Sequence, residues 1–453
     1  MTPLTRDIGQ FVVDSQFSAL PDDAISYAEL GFTDCVAVML AGSDEPAVEK
    51  LRNLLEVQRE TPFGTAQLAA RDRALLSGAA AHVLDYDDVA LDGHTSAVLV
   101  PAILSLCLDR PASGRDAVLA YAVGFEVWAE LIRRDTDAHH NKGWHPTTVF
   151  GSVASAAACA SLLHLNGEES ANAVAIAASL AAGLAANFGS MTKSFQVGRA
   201  AEAGVTAALL AADGFTGASD VIEHPRGYLK AISPNGHVQL DRAPTLGRIW
   251  RLAAVGLNIK KYPICYCAHR PVDAMLELLA EHRAAPDEVS RIEVHLGRTA
   301  SNILRETIAG NALQAKFSLE FAMASALVAG AVGLKQLQDD FVESNAVQAS
   351  MERVERHLLD DDTAGDLPLA QSDWVCVTTR SGDRLESPKI THARGAPALP
   401  LDRAELWRKF EECTDPSLGS QSRRLFDSLI DLRSVPSMPK LAGMAFLSGE
   451  QVT

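Results

Sequence analysis

Residues 147–163 read TTVFGSVASAAACASLL, and residues 168–186 read EESANAVAIAASLAAGLAA. Apolar residues recur at three-to-four spacing in both runs, the period of an α-helix. Alanine, glycine and serine dominate, so no bulky side chain holds neighbouring helix axes apart. Helices this smooth have little polar face to give to water, and each is expected to be packed on all sides. They are the centre of a helical body. The same periodicity predicts flanking helices over 5–17, 21–41, 46–58, 65–86, 97–108, 114–134 and 198–212, with Gly or Pro at the breaks.

Past residue 257 the texture changes. Residues 290–297 (SRIEVHLG), 374–379 and 384–390 alternate polar with apolar, as half-buried strands do, and a Ser-Gly-Asp turn joins the last two as a hairpin. Helices are expected between them at 270–284, 318–327 and 350–356. After the loop RGAPALP the helical pattern returns at 402–413 and 420–432. The expected architecture is mainly α: a large all-helical domain of discontinuous sequence (1–257 and 393–453) and a smaller α+β domain (258–392).

Of the 453 residues, 40 are Lys or Arg against 57 Asp or Glu, a net charge of −17 with no basic block. Nucleic acid and anionic membrane are poor partners for such a surface, and an anionic substrate would need the few cations concentrated locally. The seven cysteines are scattered, without a CxxC pair, which fits a reducing compartment and so the cytoplasm. The run 173–186, taken as the most apolar, is shorter than the roughly 20 residues that span a bilayer. The N-terminus has no apolar run of the kind a signal peptide carries.

Four segments could carry chemistry. In Asp85-Tyr86-Asp87-Asp88, followed by Gly93-His94-Thr95-Ser96, three carboxylates within four residues must be solvated, shifted in pKa, or paired with a cation such as His94. In Gly143-Trp144-His145-Pro146-Thr147-Thr148, proline suits a first helical turn and leaves His145 near the N-cap, where a neutral imidazole and an anionic ligand are both favoured. Asn187 to Ser194 (NFGSMTKS) reads as a polar loop with one cation, Lys193, before a small-residue helix that carries Arg199; it lacks the order of a Walker loop. Lys260 to Arg270 (KKYPICYCAHR) gathers two lysines, two thiols, His269 and an arginine, with spacings that suit neither a zinc site nor an iron–sulfur cluster. The plain alternatives are a solvated acidic cap, a surface histidine, a structural turn and a basic linker.

Taken in order, DYDD with its following histidine, GWHPTT, FGSMTKSFQVGRAAEAG, LLAADGFTG and IKKYPxCxxxH resemble the MmgE/PrpD family, which includes 2-methylcitrate dehydratase, cis-aconitate decarboxylase and iminodisuccinate epimerase. The resemblance covers nearly the whole chain. It implies a homodimer without organic cofactor or metal, a small di- or tricarboxylate as substrate, and a helical domain with an α+β lid. It also implies that Asp85, His94, His145, Lys193 and Lys260 line the active site. Cys265 is then a candidate second base, and Thr192, Arg199, Lys261 and His269 are candidate substrate contacts.

The shared chemistry of that family is proton movement at a carbon next to a carboxylate. It needs cations for the developing charge and a base within reach of the C–H. Lys193 and Lys260 supply cations, His94 or His145 the base, and Asp85 can orient a histidine. Compared with the decarboxylase pattern, Cys265 stands in place of a histidine, Val89 of a threonine and Phe321 of a tyrosine. The expected function is therefore a lyase, with an epimerase of an iminodisuccinate-like dicarboxylate as the alternative and a non-catalytic helical module as the third.

Overall fold

The computed structural model describes residues 3–57, 68–135, 137–282, 285–360 and 369–446. The chain forms two compact units, one of residues 1–257 with 403–453 and one of residues 258–402. Gln58, residues 65–67 and residues 283–284, the ends of three expected helices, lie outside the described residues.

Among the described residues, the named elements of the first unit are all helices. Helix Pro146–Leu162 is buried from end to end, as its composition requires. Helices Ala70–Val83 and Met191–Ala212 cross where two glycines meet: a Cβ on Gly198 would come within 2.2 Å of the Leu75 carbonyl oxygen, and one on Gly78 within 3.0 Å of the Gly198 Cα. Any side chain there would push the helices apart. That close approach matters, because His82 lies one turn beyond Gly78 and Lys193 lies near the start of the partner helix.

Helix Asp22–Ala41 is long and apolar enough, by length and composition, to cross a membrane, yet 78% of its apolar window is buried within the protein. It also carries Glu29 and Asp34, whose carboxylates lie 2.6 Å from Arg433 and Lys409. Both bases come from the C-terminal return of the chain, and helix Arg403–Leu418 packs on this helix.

In this unit the runs around 181–186 and 191–198 depart from the sequence expectation. The helix expected over 168–186 stops at Leu180. Beyond it the chain is extended, because His145 N–H donates to the Gly183 carbonyl (3.0 Å) and Ala185 N–H to the Gly143 carbonyl (3.0 Å), while Gly183 takes φ +151°. Leu180 and Leu184 are left exposed, so this run is not packed all round. The other helix begins at Met191, not 198, which puts Lys193 in its first turn rather than in a loop.

The second unit holds a four-stranded sheet in the order β2-β1-β3-β4, with β1 Val289–Gly297, β2 Val354–Leu359, β3 Trp374–Thr379 and β4 Arg384–Glu386. β1 and β2 are parallel, and the other pairs are antiparallel. Ile292, Val294, Leu296, Val375 and Val377 form the buried face, against which helix His269–His282 packs. The helix expected at 350–356 is a correction: helix Asn345–Met351 ends there and VERHLL forms the edge strand β2. Its polar residues mimic a helical face, and pairing with β1 together with the Arg356–Glu320 ion pair (2.6 Å) decides the outcome. β4 is shorter than 384–390: Ser387 N–H still donates to the Val375 carbonyl (2.9 Å), Pro388 offers no N–H, and Asp373 and Ile390 pair beyond it.

This unit runs to Asp402 rather than 392. Ile259 N–H donates to the Gly395 carbonyl (2.9 Å), and Arg394 N–H to Asp273 (2.8 Å), so the loop belongs with the strands. Gly395, at φ +98°, is required because a Cβ would meet the Ile259 carbonyl oxygen at 2.0 Å.

Candidate active site

Helix Ala70–Val83 ends just before the acidic run, and the chain turns sharply at Asp85, a non-glycine residue at φ +52°. A left-handed backbone costs roughly 1–2 kcal/mol for such a residue, so the surroundings must hold it. Asp85 forms an ion pair with Lys193, and both are buried. A lysine in a first helical turn faces the positive end of the macrodipole. The Asp85 carboxylate offsets that cost.

Lys193 Nζ also lies 2.7 Å from His82 Nε2. An ammonium has only protons to give, so His82 Nε2 must accept, which leaves the His82 proton on Nδ1. That nitrogen is 3.0 and 3.1 Å from the two oxygens of Asp87. Burial drives His82 down to about 3; Asp87 opposes the shift and Lys193 adds to it, so the ring is neutral. Burial would raise Asp87, but the imidazoles of His82 and His94 outweigh it and hold the carboxyl well below its usual range.

His94 arrives by a tight turn in which Ala90 and Gly93 exchange hydrogen bonds of 2.9 Å, with Leu91 and Asp92 both left-handed at φ +50° and +56°. This is the geometry of a two-residue hairpin turn. Its Nδ1 lies 2.9 Å from Asp87 Oδ2, and its ring meets His82 edge-on at 4.4 Å. Asp87 therefore orients two imidazoles at once.

His145 is the N-cap residue of helix Pro146–Leu162, with Pro146 in the first turn, as its sequence indicates. It is buried, not a surface cap. Its Nδ1 lies 3.0 Å from Gln196 Oε1, so Nδ1 carries the proton and Nε2 is the basic nitrogen. Burial first, and then Lys193, hold it well below the usual histidine range. The rings of His82 and His145 are 6.0 Å apart, and Phe188 stands edge-on to His145 at 4.8 Å with Lys193 Nζ 5.4 Å from its centre.

The structure thus brings together Asp85, His94, His145 and Lys193. Asp87, one of the three carboxylates expected to need a partner such as His94, joins them, and His82 and Gln196, which the sequence does not single out, complete the cluster. The signal for His82 was its place three residues before Asp85, on the last turn of the same helix. Asp87 lies against both the His82 and His94 rings, and Asp85 is ion-paired with Lys193. Thr192 and Arg199 share the Lys193 helix but are exposed, and Arg199 pairs with Glu202 at 2.7 Å. Six residues from Lys193 is about 240° around a helix, which points Arg199 away from it.

His82, Asp85 and His94 offer ligand atoms within 4.8 Å of one another, a donor set that suits a divalent cation. The Lys193 ammonium lies among them, hydrogen-bonded to His82 and ion-paired with Asp85, so the positive charge at this point is the protein's own. Beneath the cluster Asp88 is fully buried, and burial followed by Asp34 pushes it up to about 8.

Lys260, Lys261, Cys265 and His269 belong to the second unit. Lys260, Cys265 and His269 are buried there and Lys261 is exposed beside the Tyr262 ring. His269 packs between Tyr262 and Tyr266, with ring centres 5.2 and 5.0 Å away. Cys265 N–H donates to the Lys316 carbonyl at 2.8 Å. A hydrogen bond with Cys265, and then burial, raise the Cys267 thiol well above its usual value.

The MmgE/PrpD N-terminal domain matches residues 6–241, and the MmgE/PrpD C-terminal domain matches residues 262–432. The chain belongs to the MmgE/PrpD family. Among its relatives, a cis-aconitate decarboxylase-like protein of Aspergillus oryzae is 25% identical, over 99% of this chain and 98% of its own. The cis-aconitate decarboxylase of mouse is 26% identical over 90% and 86%. That of Aspergillus terreus is 27% identical over 66% of each chain. In the MmgE/PrpD chain described here, the C-terminal match runs past the α+β unit into helix Arg403–Leu418, which belongs spatially to the helical unit.

Proposed function

We propose that this protein is a lyase that moves a proton at the carbon next to a carboxylate of a small unsaturated or hydroxylated di- or tricarboxylate, the class to which cis-aconitate belongs. The observation that carries the proposal is the charge order Asp87, His82, Lys193, Asp85, with His94 and His145 beside it. His94 is the base favoured by its partner: when it takes a proton, Asp87 stabilises the imidazolium that forms. His145, held neutral with Nε2 basic, serves as the second proton-transfer group. Lys193 and the N-terminus of its helix favour the negative charge that builds on the carboxylate.

Two carboxylates against one ammonium leave the cluster short of positive charge for an anionic substrate. Lys260 and Lys261 of the second unit are the cations assigned to that need, with Thr192 and His269 as further polar contacts and Cys265 as an additional acid–base group. Arg199, paired with Glu202, has the weakest case. The alternative is epimerisation of an iminodisuccinate-like dicarboxylate, for which two proton-transfer groups such as His94 and His145 suffice.

A homodimer goes with the proposal. Leu180, Leu184, Met191 and Phe195 are 41%, 52%, 37% and 37% exposed close to the segment that holds His145, an apolar surface of the kind a second copy covers. The seven buried cysteines suit a cytoplasmic location.

The test is to incubate the protein with cis-aconitate, 2-methylcitrate and iminodisuccinate and to follow the products by NMR. Loss of CO2 or water supports the lyase, inversion alone the epimerase, and no change with any of the three opposes both.

A further inference from the structure

The turn that carries Asp85 and Asp87 is gripped from behind by a residue 323 positions away. Lys409, on helix Arg403–Leu418, is buried and donates to the Tyr86 carbonyl at 2.9 Å. Its Nζ lies 2.6 Å from Asp34 Oδ1 and 4.0 Å from the centre of the Tyr86 ring. Tyr86 sits between the partner of Lys193 and the partner of both His82 and His94. Its carbonyl belongs to the peptide that leads into Asp87, so fixing that oxygen fixes the plane from which Asp87 departs.

We propose that Lys409, with Asp34 as its counter-ion, is a positioning residue that sets the Asp85–Asp87 turn in its working geometry. It touches no reacting atom. The inference rests on the reading of this turn as catalytic given above. The turn needs such a clamp because Asp85 is left-handed, and a strained conformation persists only when its surroundings over-determine it. Helix 70–83 holds one end, with Asp85 N–H donating to the His82 carbonyl at 3.0 Å. Thr95 holds the other, with its hydroxyl 3.4 Å from Asp88. Lys409 acts between them, where the two functional carboxylates diverge.

A merely structural ion pair, tying helix 403–418 to helix 22–41, would touch stability alone. Lys409→Met takes the ammonium from the buried Asp34 carboxylate and destabilises the chain on that ground, whereas Lys409→Met with Asp34→Leu removes both charges, an exchange that buried pairs commonly tolerate. Both variants, and Lys409→Arg, are measured as full-length protein for melting, for kcat and KM on cis-aconitate, and for the ¹⁵N signals of histidine-labelled protein. In the folded double variant kcat falls by about tenfold or more at little-changed KM, as a displaced catalytic group requires. The His82 and His94 signals shift with it, and Lys409→Arg restores part of both. Wild-type kcat or unchanged imidazole signals in the folded double variant overturn the proposal. If the wild-type protein turns over none of the polycarboxylates, the functional reading fails instead, and the imidazole signals alone decide the role of Lys409.

Discussion

Lys193 Nζ and His82 Nε2 stand 2.7 Å apart, with Asp85 ion-paired to the ammonium and Asp87 on the far nitrogen of the ring. The order anion, neutral ring, cation, anion follows from that contact, because an imidazolium beside an ammonium is repelled and desolvated together. A lysine so placed is part of the fold as well as of the chemistry. Sequence alone places Lys193 in a polar loop, and its buried position in the first turn of a helix corrects that.

Lys193→Ala accordingly lowers stability as well as activity. Removing one partner of a buried ion pair costs about 3–5 kcal/mol, because the other charge is left uncompensated. Urea unfolding measures the loss, and Lys193→Met combined with Asp85→Leu regains much of the stability while activity stays lost. A Lys193→Ala protein as stable as wild type contradicts the buried pairing.

Acid destabilises the protein through its histidines. Burial, with Lys193 adding to it, lowers His82 from the ordinary 6.5 to about 3 and holds His145 well below its usual range. Protons therefore bind the unfolded chain first as pH falls. The stability these rings contribute is whole above pH 6.5 and is lost progressively from there toward pH 3. His82→Gln, which cannot titrate, flattens the slope of unfolding free energy against pH in that range, and an unchanged slope counts against a neutral buried His82.

Much of the helical body was legible because its alanine- and glycine-rich runs admit no other packing, and His145 at a helix start followed from Pro146. The site was legible as separate motifs. What joined them was not: His82 belongs to a helix with no distinctive motif, Lys409 lies 323 residues from Tyr86, and the Gly78–Gly198 crossing that brings His82 to Lys193 is a tertiary contact. Residues 354–359 misled because an edge strand with one exposed face carries helix-like polar spacing. Residues 181–186 misled because backbone pairing with 143–145, set by Gly183, overrides alanine's helical preference.

The apolar surface of Leu180, Leu184, Met191 and Phe195 predicts association. Light scattering at micromolar concentration is expected to give a dimer, and Leu184→Glu with Phe195→Glu a monomer that melts lower. A wild-type monomer contradicts the dimer.

His94→Gln keeps a neutral polar side chain at the position of the proposed base but removes its titrating nitrogen. Loss of a general base typically costs about 10²–10⁴ in rate. kcat is expected to fall within that range at little-changed KM, measured at saturating polycarboxylate; retention of wild-type kcat moves the base to His145.

The most direct measurement is deuterium wash-in: wild-type protein and Lys193→Ala are each incubated in D2O with cis-aconitate, 2-methylcitrate and iminodisuccinate, and the carbon next to the carboxylate is followed by NMR. The account predicts deuterium at that carbon, in substrate or product, for at least one compound with the wild type and a large loss of it in the variant. No deuterium with any of the three, or equal wash-in by the two proteins, contradicts proton transfer at this cluster.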